Sequence, residues 1–398
     1  MKISERAKQC ELSPMRKFHP YALAAEAKGR KIYHLNIGQP DIATPPAYFD
    51  TLRHFTQPVL EYEASPGSAS LVKAVQDYYE KIDVHFDTDD IYITAGGSEA
   101  LSITMLCILD PGCEVLVPEP FYPNYNTFVR SAEGIIRPIP TTPESGYHYA
   151  TREQIEAGIN ENTRAILVTN PSNPTGVVLT REEQQLILDI AREHDLYVIA
   201  DEVYREFVYN GEDLMSFSQL AGSDDHVIII DSVSKRFSAC GARIGILCSK
   251  NKPFMAEALK FCQSRLAVAT LDQAAAASLY TVGPEYFEEV RQEYKCRRDT
   301  VIRKLNEIPN VICKEPQGAF YLMAALPVDD AEEFQKWLLT DFEDHGDTVM
   351  FSPGHSFYAT PGKGINEVRI AYILKQDDLE RAMDLLALGI EAYNNRNK

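Results

Sequence analysis

Short, continuous apolar runs punctuate the middle of this chain. Val115-Leu116-Val117, Ala165-Ile166-Leu167-Val168, Tyr197-Val198-Ile199-Ala200 and Val227-Ile228-Ile229-Ile230 carry no polar alternation and are too short for helices. That pattern predicts strands covered on both faces, as in a parallel sheet. Between two of them, Thr180 and Glu183 form a T-x-x-E capping box, and Leu186, Ile187, Ile190 and Ala191 then share one helical face. Strand and helix periods in alternation predict an α/β region built on a mostly parallel sheet.

The two ends read differently. Residues 1–45 hold a short helical stretch, the segment Tyr33 to Asp41 and a Pro45-Pro46 break. A charged helix over Pro284 to Leu305 leads to shorter strands, one of them alternating through Asn366 to Ala371, and to an amphipathic helix after Asp377. The expected organisation is an N-terminal arm that joins a small domain (1–45), a large domain (46–285) and a small C-terminal domain (286–398).

Charge narrows the possible functions. Against 39 Lys and Arg stand 58 Asp and Glu, a formal −19, which opposes binding to nucleic acid or an anionic membrane surface. No apolar run approaches the ~20 residues of a membrane span, and the first residues lack the apolar core of a secretory signal. The eight cysteines are scattered without CxxC pairs or zinc spacing, so reduced thiols, no metal and a cytoplasmic location are expected.

Ligands of a parallel sheet bind where the strands end, so the polar residues after each apolar run are the candidates. Val227 to Ile230 runs into Asp231-Ser232-Val233-Ser234-Lys235, which puts a lysine on a tight turn flanked by hydroxyls. A lysine in such a pocket can lose its proton and form a Schiff base with an aldehyde. Tyr197 to Ala200 runs into Asp201-Glu202-Val203-Tyr204, where a carboxylate could pair with a cationic ring nitrogen and a phenol could reach a phenolate oxygen. The alternative for that pair is a helix-capping acid beside a core tyrosine. Ala165 to Val168 leads to Asn170-Pro171-Ser172-Asn173-Pro174-Thr175-Gly176, a stiff turn presenting Asn173. Ile91 to Thr94 leads through Ala95-Gly96-Gly97-Ser98 into a helix, an arrangement suited to phosphate, although G-x-G-x-x-G is absent. Arg243 and Arg369 are candidate clamps for phosphate or carboxylate.

Taken in chain order, Gly-Gly-Ser, Phe121-Tyr122, Asn-Pro-x-Gly, Asp-x-x-Tyr, Ser-x-Ser-Lys, Arg243 and the late Arg369 closely resemble the class I/II aminotransferases of fold type I. The likeness runs over roughly residues 30–390. It implies a seven-stranded, mostly parallel sheet flanked by helices with a smaller α+β domain from both termini, and pyridoxal 5′-phosphate as cofactor. It implies that Lys235 forms the Schiff base and later moves the proton, and that Asp201 keeps the ring nitrogen protonated. Asn173 and Tyr204 would hold the ring oxygen and Tyr122 would stack on the ring. Gly97, Ser98, Ser232, Ser234 and Arg243 would hold the phosphate, with Tyr62 supplied by the neighbouring subunit of a homodimer with shared active sites. Arg369 would clamp the substrate carboxylate beside Gly38 and Asn173. The resemblance therefore implies a ping-pong exchange between an amino acid and a 2-oxo acid. A pyridoxal-phosphate C–S lyase or an aminocyclopropane-carboxylate-synthase-like enzyme of the same fold is the alternative. One departure lies in Pro353-Gly354-His355-Ser356-Phe357, which is followed by Tyr358 where glycine is usual. Selectivity is expected to rest on Arg265, in the stretch that faces the partner's substrate pocket in relatives, and on Arg16, in an arm that often covers the site, or else on Tyr358.

Overall fold

A computed structural model of the chain describes residues 1–10, 16–209 and 215–396. Its centre is a seven-stranded sheet in the order Ile91–Thr94, Gly245–Cys248, Val227–Ser232, Tyr197–Asp201, Thr163–Thr169, Glu114–Pro118, Ile135–Ile139. All neighbours are parallel except Gly245–Cys248, which runs antiparallel to both of its partners. Each of the four apolar runs read from the sequence is one of these strands.

Two-residue periodicity divides those strands between two cores. Ile166, Val168, Val198, Ala200, Val227 and Ile229 face a core shared with the helices Ala69–Glu80 and Arg181–Glu193. Ala165, Leu167, Ile199, Ile228 and Ile230 face the other, shared with Gly97–Ile108 and Lys252–Ser264. Successive side chains of a strand point to opposite faces, so an unbroken apolar run is what a sheet with helices on both sides requires. Both halves of the Thr180–Glu183 capping box are formed.

A third core joins the charged helix Pro284–Asn306 to the final helix Gln376–Asn395 and to an antiparallel sheet ordered Ser352–Pro353, Glu367–Ala371, Tyr321–Ala325, Ile312–Cys313. The arm reaches this region through Lys31–His34, which pairs in parallel with Asp347–Met350. One expectation needs correction. Glu367–Ala371 is buried at all five positions rather than alternately exposed, because Val368 and Ile370 pack into the third core while Glu367 and Arg369 are covered on the other face by Tyr147, Tyr358, Asn36 and Asn173.

Candidate active site

The adjacent strands Tyr197–Asp201 and Val227–Ser232 end side by side. The two turns that leave them open onto a cavity of about 670 Å³. Of the candidate residues, Gly38, Gly97, Ser98, Tyr122, Asn173, Asp201, Tyr204, Ser232, Ser234, Lys235, Arg243 and Arg369 all line it; Tyr62 does not. Tyr62 stands 82% exposed on the surface.

Local geometry accounts for the phosphate-type end. Gly96, with φ +84°, is the N-cap of the helix Gly97–Ile108 and offers no side-chain cap. A Cβ on Gly96 would come within 2.4 Å of Arg243 Nη2, so the glycine is what admits the guanidinium to the helix N-terminus. Ser232 Oγ donates to Ser234 Oγ at 2.7 Å and caps the next turn through the Ser234 N–H. Helix-end N–H groups, an arginine and two hydroxyls together suit a small dianion.

On the floor, Lys235 Nζ donates to the Gly38 carbonyl at 2.8 Å. A Cβ on Gly38 would lie 1.8 Å from Tyr321 Oη, so only glycine lets this backbone pass between the lysine and that ring. Asp201 is buried and accepts from Tyr125 Oη at 2.6 Å. Burial pushes its pKa up to about 6, against the lowering effect of the Tyr125 hydrogen bond. Tyr204 Oη accepts from Asn173 Nδ2 at 3.4 Å and lies 3.1 Å from Tyr321 Oη. Burial raises the Tyr204 pKa well above the ordinary phenol value, which keeps it a neutral donor.

Arg369 closes the other side. It is 3% exposed, and its guanidinium donates to Asn173 Oδ1 (3.2 Å) and the Asn36 carbonyl (2.8 Å). Its Nε is buried without a hydrogen-bond partner, and among the described residues it forms no ion pair. Burial lowers its pKa. A buried, fork-shaped cation held only by neutral acceptors is a receptor for a planar anion.

Three residues of this wall escaped the sequence reading. Tyr125 orients Asp201, Tyr321 joins Tyr204 to the Gly38 loop, and Asn36 anchors Arg369. Tyr125 follows Tyr122 by three residues in the helix Asn124–Ser131, and that spacing beside a strand end was the available signal.

The selectivity candidates separate. Arg16 lines the cavity and is exposed. Arg265 does not line it: its Nε pairs with Glu99 at 3.1 Å and Nη2 donates to the Ile93 carbonyl at 2.6 Å. Tyr358 also lies off the cavity wall, buried with its hydroxyl donating to Glu367 at 2.7 Å. Its neighbour Phe357 packs against Arg369 instead, with its ring centroid 5.1 Å from the guanidinium carbon.

The family model for aminotransferase class I and II matches residues 30–386. An aspartate aminotransferase from Musicola paradisiaca is 31% identical over 402 residues, covering 98% of this chain and 97% of that protein. A putative aminotransferase of Bacillus subtilis, YugH, is 32% identical over 388 residues, 96% of each. Among solved structures, a single mutant of Thermus thermophilus aspartate aminotransferase superposes with a TM-score of 0.89 at 27% identity, covering 98% of this chain and all of that one. An alanine aminotransferase from Pyrococcus furiosus gives 0.89 at 31% identity with the same coverage.

Proposed function

Because the chain belongs to the class I and II aminotransferases, we propose that it carries an amino group from an amino acid to a 2-oxo acid by a ping-pong route, with pyridoxal phosphate bound through Lys235. The observation that carries this reading is the pairing, in one cavity, of a lysine at a sheet edge with a buried arginine that forms no ion pair among the described residues. When bound, the cofactor supplies an aldehyde for the amino group and a ring that takes up the electron pair released at the substrate Cα.

The chain's own residues do the rest. Arg369 binds the α-carboxylate and fixes the orientation of the Cα–H bond. Lys235 Nζ, steered by the Gly38 carbonyl, takes and returns the proton at Cα. Asp201 accepts from a ring N–H, and that cation draws its raised pKa back down. Asn173 and Tyr204 donate to the ring oxygen, while Tyr122 covers one ring face. Gly97, Ser98, Ser232, Ser234 and Arg243 hold the phosphate. The unpartnered Nε of Arg369 and the Gly96 opening toward Arg243 support the fit.

The exposed Tyr62, remote from its own cavity, fits a homodimer in which each subunit completes the other's phosphate site. Mixed dimers of Tyr62→Ala and Lys235→Ala would then regain part of the lost activity. The three cores support a division into a cofactor domain over 46–285 and a smaller one over 286–398 with the arm 1–45. Eight free thiols and the acidic charge fit the cytoplasm; among the described residues no helix is long and apolar enough to cross a membrane.

A donor–acceptor matrix with purified protein and pyridoxal phosphate tests the reaction. Transfer that requires both an amino acid and a 2-oxo acid is expected. Release of pyruvate and ammonia from cysteine without an acceptor would overturn it in favour of the C–S lyase.

A further inference from the structure

Behind the two turns that carry Asp201 and Lys235 lies a closed set of charges with no part in the chemistry described above. Glu202, Arg205, Glu206, Asp231 and Arg236 are each no more than 7% exposed. Asp231 is the hub. Arg236 Nη2 reaches both of its oxygens at 3.0 and 2.8 Å, Arg205 Nη2 lies 3.6 Å away, and Tyr79 Oη donates to it at 3.1 Å. Arg205 Nη1 also pairs with Glu202 at 2.5 Å, and Arg236 Nε lies 3.8 Å from Glu206. Tyr78 hydrogen-bonds Glu206 and covers both guanidiniums, at 5.2 and 4.2 Å from its ring centroid.

The arrangement alternates along the chain. In the first turn Asp201 and Tyr204 face the cavity, while Glu202, Arg205 and Glu206 lie behind. In the second, Ser232, Ser234 and Lys235 face it, while Asp231 and Arg236 lie behind. Every cavity residue of these turns is thus a near neighbour in sequence of a charge tied to the other turn.

Buried ion pairs of this kind are seldom the most stable way to fill a core, since apolar residues of the same volume serve as well or better. What they do supply is a defined geometry: Arg236 Nη2, shared by both Asp231 oxygens, and Arg205 Nη1 on Glu202 brace each turn within itself, and the ion pairs Arg205–Asp231 (3.6 Å) and Arg236–Glu206 (3.8 Å) link one turn to the other. Between these two strands the register ends with Asp201 opposite Ile230 and the Glu202 N–H on the Ile230 carbonyl; past it, the pairs made by Arg205 and Arg236 run from one turn to the other.

We propose that Asp231, Arg236, Arg205 and Glu206 form a positioning frame that sets the placement of Asp201 relative to Lys235, with the Arg205–Asp231 and Arg236–Glu206 pairs as its cross-links. This rests on the proposed roles of Asp201 and Lys235. The frame touches neither substrate nor cofactor and acts through the turns it binds together.

The experiment uses the full chain purified with pyridoxal phosphate, comparing the parent with Arg236→Met and Arg236→Lys. Amide hydrogen exchange is followed in residues 201–206 and 231–236, and kcat and KM are measured for an amino-acid donor. Arg236→Met is expected to speed exchange at least tenfold in both turns, although the substitution lies in only one. It is also expected to lower kcat at least tenfold with KM changed less than twofold, because Arg369 still binds the carboxylate. Arg236→Lys retains the charge on a single strut and should recover part of both losses; if the Met variant does not fold, the Lys variant against the parent carries the same comparison. Faster exchange confined to 231–236, or a lowered melting temperature with kcat intact, would overturn the frame and leave Arg236 an ordinary core residue. Failure of the parent to transaminate with any donor would overturn the proposed function instead, and the exchange in the two turns would still judge the frame.

Discussion

Two kinds of buried arginine flank this cavity. Behind it, Arg205 and Arg236 meet carboxylates and lie over aromatic rings. In front, Arg369 meets only neutral oxygens, those of Asn173, Asn36 and Ser352, lies 4.5 Å from the Tyr321 ring centroid and forms no ion pair among the described residues. Both kinds are almost fully removed from water. The difference is that the first pair has its counterions built into the fold, whereas the second has none among the described residues. A buried charge satisfied internally serves geometry, and one left without a counterion serves binding at a cost to the stability of the free protein.

The largest expected effect lies between these two regions, at the residue they both serve. Lys235→Ala should fold, lose the borohydride-trapped cofactor adduct and lose essentially all turnover, since among the described residues no other lysine lines the cavity; normal turnover would remove the lysine from the reaction altogether.

Next comes the contrast itself. Removing one partner of a buried pair costs about 3–5 kcal/mol, so Arg236→Met should lower the urea unfolding free energy by roughly that amount. Arg369→Met should leave unfolding unchanged or raise its free energy, because a solitary buried cation has gone, yet reduce kcat/KM about a hundredfold or more through the lost carboxylate contact. Equal losses of stability in the two variants would erase the distinction.

A smaller effect is carried by pH. The Asp201 pKa is raised to about 6 in the folded chain, against about 3.9 unfolded. The folded cofactor-free protein therefore holds this proton more tightly. The contribution of Asp201 to stability is full below about pH 4 and is lost as pH rises through 6, a swing on the order of 3 kcal/mol. Cofactor binding needs the ionised form, so affinity for pyridoxal phosphate should weaken as pH falls through 6. Asp201→Asn should flatten that part of the profile, and an unchanged slope would show the carboxylate to be only a structural cap.

The smallest expected change is at Arg265. With its charge engaged by Glu99, Arg265→Ala should leave the ratio of kcat/KM for aspartate to that for alanine within about twofold. A tenfold fall, equivalent to about 1.4 kcal/mol, would mean that the ion pair opens to meet a distal carboxylate.

Most of the sheet and much of the cavity wall were legible along the chain. Apolar runs mark the strands because a parallel sheet covered on both faces tolerates no polar alternation, and the polar residues that end each run fall at the ligand edge by topology alone. Asp201, Asn173 and Lys235 could therefore be read locally. Tyr125, Tyr321 and Asn36 could not, since their roles depend on contacts with Asp201, Tyr204 and Arg369 made across 76, 117 and 333 residues of chain. The same limit applies to Tyr358 and Arg265: a local motif says which residues stand near a site in sequence, whereas Glu367 and Glu99 decide where these side chains turn within the subunit. Sequence alone determined the strands, their order of chemistry and the types of group on offer, because these follow from periodicity and from turns only a few residues long. The tertiary structure decided which charges were paired and which were left for a ligand, because pairing depends on distances of a few ångströms between segments that only the packed fold brings together.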